Sequence, residues 1–190
     1  MQHYYHSIGE NWFTYPGFYA SVVREFESGS KFVEIGSWRG RSSCFLGVEI
    51  FNSGKSIELH CVDTWLGSEE HQPGGEFPEG YQILKDDGLY KEFISNIQPI
   101  KDIIKPIRLT SIEASSLYED ESLDFVFLDA SHKYEDVKQD LVAWYPKVRK
   151  GGIFAGHDYP SWPEVVKAVD EFFPQKDFHS NELCWIHRKN

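Results

Sequence analysis

The chain has 190 residues, 41% of them hydrophobic, with 30 acidic against 19 basic side chains and a formal net charge of −11. That length suits one domain with a substantial core, and the charge excludes long-range attraction to a phosphate backbone, so nucleic acid is a poor partner. No apolar run approaches the roughly 20 residues of a membrane span, which argues against a membrane partner.

Residues 1–10 lack the basic start and apolar stretch of a secretory signal, which predicts cytoplasmic residence. Cys44, Cys61 and Cys184 are widely spaced inside apolar stretches and read as buried free thiols. Phe18 to Phe26 is expected to form a helix covering a sheet, within an N-terminal helical cap over residues 1–30. The remaining 31–190 then form a single α/β core, because short apolar runs alternate with amphipathic stretches as parallel strands do with crossover helices.

Phe32 to Ile35 begins that series as a buried strand ending at Gly36, followed by a helix from Arg41 to Phe51 with Phe45, Leu46, Val48 and Ile50 inward. Ile57 to Val62 is the next strand, closed by Asp63. Trp65 to Tyr81, carrying Gly67, Pro73, Gly74, Gly75, Pro78 and Gly80, is a long loop read as functional. Tyr90 to Ile97 is expected as a helix, Ile107 to Thr110 as a third strand, and Leu123 to Leu128 as the clearest strand of all. A helix from Tyr134 to Tyr145 follows, then a turn at Lys150-Gly151-Gly152 into a strand from Ile153 to Ala155, then a helix from Val165 to Phe173. Phe178 to His187 has room for an antiparallel hairpin around Ser180-Asn181. The fold predicted is one doubly wound, Rossmann-like, mostly parallel sheet with that C-terminal hairpin.

In such sheets ligands bind beyond the carboxyl ends of the strands. The residues there are Glu34 and Gly36, Asp63, Ser111 and Glu113, Asp129 to His132, and His157 with Asp158, an acidic rim. The first turn, Glu34 to Ser43, has glycines at 36 and 40 and lacks the G-x-G-x-x-G spacing of dinucleotide sites. Asp63 is placed to accept hydrogen bonds from both hydroxyls of a ribose. Either a nicotinamide dinucleotide or S-adenosylmethionine carries that ribose. Glu34 would repel the pyrophosphate of the former and complement the sulfonium and ammonium of the latter.

Phe32-Val33-Glu34-Ile35-Gly36 with Gly40 and Ser42, then His60-Cys61-Val62-Asp63, resembles motifs I and II of class I S-adenosylmethionine-dependent methyltransferases. Leu123 to Val137, continuing through Asp140-Leu141 to Gly151-Gly152 and Gly156-His157-Asp158-Tyr159, resembles the small bacterial and phage members related to macrolide-sugar O-methyltransferases. The resemblance implies that Glu34 and Gly36 lie along the methionine part of the cofactor and that Ser37, Trp38, Gly40 and Ser42 also bind it. It places Asp63 on the ribose, with Thr64 and Trp65 also cofactor-binding, Ser111 and Glu113 near the adenine, and Asp129 facing the transferred methyl group.

The activity expected is methyl transfer to a small-molecule acceptor, a sugar-like or other hydroxyl. The alternatives are an NAD-dependent oxidoreductase and an inactive nucleoside-binding scaffold of the same fold. His157 is the expected general base, because Gly156 frees its turn to point over the strand ends. His132 is either a second base or a cap of the helix beginning at Tyr134. Asp129 and Asp158 close neighbouring strands and are expected to suit Mg²⁺. The aromatic residues Tyr4, Tyr5, Trp12, Phe13, Tyr15, Phe18 and Tyr19 could wall a substrate pocket but read mainly as core or as the contact of a homodimer.

Overall fold

The computed structural model describes residues 1–75, 80–179 and 182–190. Pro16 at the first turn of α1 (Pro16–Glu25) supplies a preset φ where no N–H is needed. β1 (Lys31–Ile35) leads through a turn into α2 (Arg41–Ser53), which Gly54 terminates in the left-handed conformation. β2 (Glu58–Asp63) follows, then short helical turns, among them α3 (Tyr81–Leu84), and then α4 (Gly88–Asn96). The sequence-predicted loop between Trp65 and Tyr81 contains a 3₁₀ turn over Glu69–His71, and Pro78 falls outside the described residues.

β3 (Ile104–Arg108) begins and ends earlier than the Ile107–Thr110 expected, and it includes Pro106. A proline is tolerated there because β3 is the edge strand. Thr110 is instead drawn into the capping box of α5 (Ser111–Ser115). β4 (Leu123–Leu128) is buried along most of its length, as a central parallel strand must be.

α6 (Tyr134–Trp144) has Lys133 at its N-cap, so His132 does not cap it. β5 (Val148–Gly156) absorbs the expected Lys150–Gly152 turn as an irregularity: Val148 pairs with Leu123 and Ile153 with Phe125, while Gly151 takes φ +75°. α7 (Pro163–Phe172) buries Val165, Ala168 and Val169 at i, i+3, i+4 spacing. β6 (Asp177–His179) and β7 (Cys184–Arg188) pair antiparallel; the expected tip at Ser180-Asn181 lies outside the described residues.

The sheet order is β3-β2-β1-β4-β5-β7-β6, parallel from β3 to β5 and antiparallel beyond. Alternation along β1 sends Phe32 to one core, shared with Tyr15, Phe18, Tyr19 and Phe125, and Val33 with Ile35 to the other, shared with Val126, Trp144 and Phe154. The three cysteines are free and buried, as expected. Among the described residues no helix is long and apolar enough to cross a membrane.

Candidate active site

Strand order reverses between β1 and β4, and their carboxyl ends open into a cleft of about 530 Å³, a volume that suits a cofactor-sized ligand. Its floor and walls come from the ends of β1, β2, β4 and β5, and residues 8–15 of the N-terminal segment form its rim. Gly36 has φ +87°, and a Cβ there would stand 1.9 Å from the Asp129 carbonyl oxygen. Only glycine lets β1 turn against β4 at this point.

Asp63 closes β2 on the cleft wall. Its Oδ2 accepts the N–H groups of Ser37 and Trp38, each at 2.9 Å, and its Oδ1 accepts that of Trp65 at 2.7 Å. A carboxylate has about four lone-pair positions, so roughly one, on Oδ1, is left for a ribose hydroxyl rather than the two expected. Burial pushes the Asp63 carboxyl upward against those three backbone donors.

Glu34 is a correction. It is wholly buried beneath the cleft and does not line it, its carboxylate taking hydrogen bonds from Tyr19, Ser37 and Ser43. A carboxylate this deep needs internal donors, and burial raises its pKa despite them. Its charge therefore cannot act on a ligand by contact.

Ser37, Trp38, Ser42, Thr64 and Ser111 line the cleft as expected; Gly40, Trp65 and Glu113 do not. Gly40 is required because a Cβ would press 2.9 Å from Phe93 of α4. Trp65 is buried with its indole N–H donated to the Trp38 carbonyl at 2.9 Å. Glu113 turns back to accept from Thr110 in the capping box, and the carboxyl group meeting Ser111 is that of Asp140.

At the other end of the cleft, four residues from two strand ends converge. His157 Nδ1 lies 3.5 Å from Asp129 Oδ1 and 3.2 Å from Asp158 Oδ1. His132 joins Asp158 Oδ2 through Nε2 at 2.9 Å and Glu70 Oε2 through Nδ1 at 3.1 Å, and it stacks on Trp162. Burial alone would lower both imidazoles. The carboxylates of Asp129 and Asp158 outweigh it at His157, those of Asp158 and Glu70 at His132, and each is raised to about 10. The carboxylates thereby bias both rings toward the protonated form in this arrangement. Asp158 itself has φ +66°, a conformation an aspartate tolerates and one that aims its carboxylate back over the cleft.

Sequence reasoning missed four contributors. Thr14 Oγ1 contacts His157 Nε2 at 2.8 Å, and the Tyr15 hydroxyl donates to Asp129 Oδ2 at 2.6 Å. Glu70 ties the β2–α3 loop to His132, with Glu69 and Lys133 paired alongside. His71 stacks on Trp38 at 4.3 Å above the cleft. Only Tyr15 carried a sequence signal, as one of an aromatic run read mainly as core.

A strand-end cleft of this kind on a 3-2-1-4-5 sheet with an antiparallel extension defines a class I, S-adenosylmethionine-dependent methyltransferase fold. The sequence model of the family described as methyltransferase domain matches residues 33–159, and the chain belongs to that family. The oxidoreductase alternative is thereby set aside.

Among solved structures, the O-methyltransferase NovP superposes with a TM-score of 0.67 at 17% identity, over 92% of this chain and 79% of that one. CalS11, a TDP-rhamnose 3'-O-methyltransferase of calicheamicin biosynthesis, gives 0.56 at 16% identity over 91% and 76%. Aeropyrum pernix fibrillarin, solved with S-adenosylmethionine natively bound, gives 0.54 at 11% over 92% and 76%. A curated relative, the uncharacterized protein y4gI of Sinorhizobium fredii, is 28% identical over 128 residues. That match spans 67% of this chain and 13% of the relative.

Proposed function

We propose that the protein moves the sulfonium methyl of S-adenosylmethionine to a hydroxyl of a small, sugar-like acceptor. The observation that carries this reading is that Asp63 and the Asp129–His132–His157–Asp158 cluster face one cleft. In it the cofactor ribose meets Asp63, the adenine extends toward Ser111, and the methyl group points to Asp129.

As the acceptor oxygen bonds to the methyl carbon, the carbon–sulfur bond breaks and S-adenosylhomocysteine leaves. The acceptor's proton passes to the carboxylate–imidazole cluster, with alignment supplied by the cleft walls. The likeness to NovP and CalS11 supports an oxygen acceptor. A small acceptor rather than a nucleic acid is supported by the charge of −11 and by the engagement of the cleft's arginines within the protein. Arg39 pairs with Glu10 and Glu92, and Arg41 is held by the carbonyls of Ile8, Gly9 and Glu10. Cytoplasmic residence belongs to the same reading.

A divalent cation on Asp129 and Asp158, expected from the sequence as Mg²⁺, is part of the proposal. The donor set fits one: an oxygen from each and a nitrogen of His157 lie within 4.8 Å of one another. Held there, such an ion would supply charge that favours the deprotonated acceptor.

Calorimetry with S-adenosylmethionine and with NAD tests the cofactor. Only the former should bind, and Asp63→Ala should weaken it tenfold or more, the worth of one charge-assisted hydrogen bond of about 1.5–3 kcal/mol. Unchanged affinity in a folded variant removes the ribose assignment.

A further inference from the structure

We infer that His157 is a metal ligand through Nδ1, and that this nitrogen makes the site select Mn²⁺ over Mg²⁺. The inference rests on the proposed cation site and changes its chemistry from all-oxygen to two oxygens and an imidazole.

Each of the three side chains has one atom committed outward and one turned inward. Asp129 Oδ2 accepts from Tyr15, leaving Oδ1. Asp158 Oδ2 is engaged by His132, leaving Oδ1. His157 Nε2 meets Thr14 Oγ1 at 2.8 Å, leaving Nδ1. The three remaining atoms converge, with Nδ1 at 3.5 and 3.2 Å from the two oxygens. Two ligands about 2.1 Å from a small dication and at right angles stand about 3 Å apart, close to the separation of Nδ1 from each oxygen.

The tautomer follows from Thr14. With its single hydroxyl proton donated to the Glu182 carbonyl at 3.3 Å, Oγ1 accepts at 2.8 Å from a proton on His157 Nε2, the tautomer we assign. The Nδ1 lone pair then faces two carboxylates, a position that demands a positive charge. A proton fills that demand in isolation, and a metal fills it better with three ligands. Hydrogen bonds that hold the far atom of each ligand are the usual support of a built metal site. His157 is buried, and Thr14 holds its ring at Nε2.

Mg²⁺ favours oxygen donors and retained water, whereas imidazole suits first-row transition dications. The same reading removes His157 from the role of base, while His132 is held across Asp158 with its other nitrogen on Glu70.

The test uses the whole chain, stripped of metal, with Mn²⁺ as the probe. Titration followed by electron paramagnetic resonance should show one site binding Mn²⁺ at least tenfold more tightly than Mg²⁺, read by competition. Pulsed measurements should show nitrogen coupling to the bound ion. In His157→Asp the coupling should vanish and the Mn²⁺-to-Mg²⁺ preference should fall about tenfold. Thr14→Val, which keeps the ligands, should weaken Mn²⁺ by about 10–100-fold. Should His157→Asp fail to fold, the nitrogen coupling of the native chain and the Thr14→Val affinity decide.

Mn²⁺ bound without nitrogen coupling, or with the same preference in His157→Asp, overturns the inference. So does failure to bind Mn²⁺. S-adenosylhomocysteine binding, measured in parallel by calorimetry, separates that failure from failure of the methyltransferase reading.

Discussion

Gly36 and Gly40 sit in one turn with similar positive φ, yet they answer to different neighbours. A Cβ on Gly36 meets the Asp129 backbone at 1.9 Å, which cannot move without parting β1 from β4. A Cβ on Gly40 meets the Phe93 ring at 2.9 Å, and a side chain can swing aside. Both substitutions incur left-handed strain of about 1–3 kcal/mol, but Gly36→Ala adds a backbone clash. Urea unfolding should therefore show Gly36→Ala as clearly the less stable, and its S-adenosylhomocysteine affinity should be lost. Equal stabilities for the two variants would mean that the turn relaxes more freely than the packing allows.

At the scale of elements, α5 shows how a short helix can mislead a reading of sequence. Thr110, Ser111 and Glu113 follow β3, where an adenine-binding carboxylate was expected at Glu113. The local physics of the helix start claims that side chain instead: Thr110 accepts from the Glu113 N–H, and Glu113 accepts from Thr110. Thr110→Ala should cost about 1 kcal/mol of stability by thermal or urea unfolding. Glu113→Gln should leave cofactor affinity unchanged in calorimetry; a tenfold loss would restore Glu113 to the adenine. The loop after β2 carries the opposite lesson. Its Glu70 and His71, unremarked in the sequence, reach His132 and Trp38 across the cleft.

Over the whole molecule, the acidic excess includes carboxyl groups set well apart from water, Asp140 among them. Asp140 on α6 is buried; burial raises it to about 7, opposed by the Ser111 hydroxyl and assisted by the charge of Asp136. The native chain therefore holds a proton that the unfolded chain releases near pH 4. The stability this confers is full below pH 4 and is lost as pH rises through 7. Between pH 5 and pH 8 the wild type should lose about 2–3 kcal/mol relative to Asp140→Asn, at 1.36 kcal/mol per unit of pKa displacement. Parallel pH profiles for the two proteins would show that Asp140 ionises as an ordinary carboxylate.

The sequence by itself determined the strand–helix alternation and the carboxylates at the strand ends, because period and turn chemistry are local and act within a few residues. It placed Asp63, Asp129, His157 and Asp158 correctly at the ends of β2, β4 and β5 for that reason. It misjudged β3, whose Pro106 is acceptable only at a sheet edge, a property of strand order. It also put Glu34 beside a ligand when the pleat turns that side chain under the cleft. Only the tertiary structure brought Tyr15 to Asp129 and Thr14 to His157, across 114 and 143 positions of chain. No periodicity encodes such pairs. They arise when the N-terminal segment packs over the sheet and its polar atoms must find partners there.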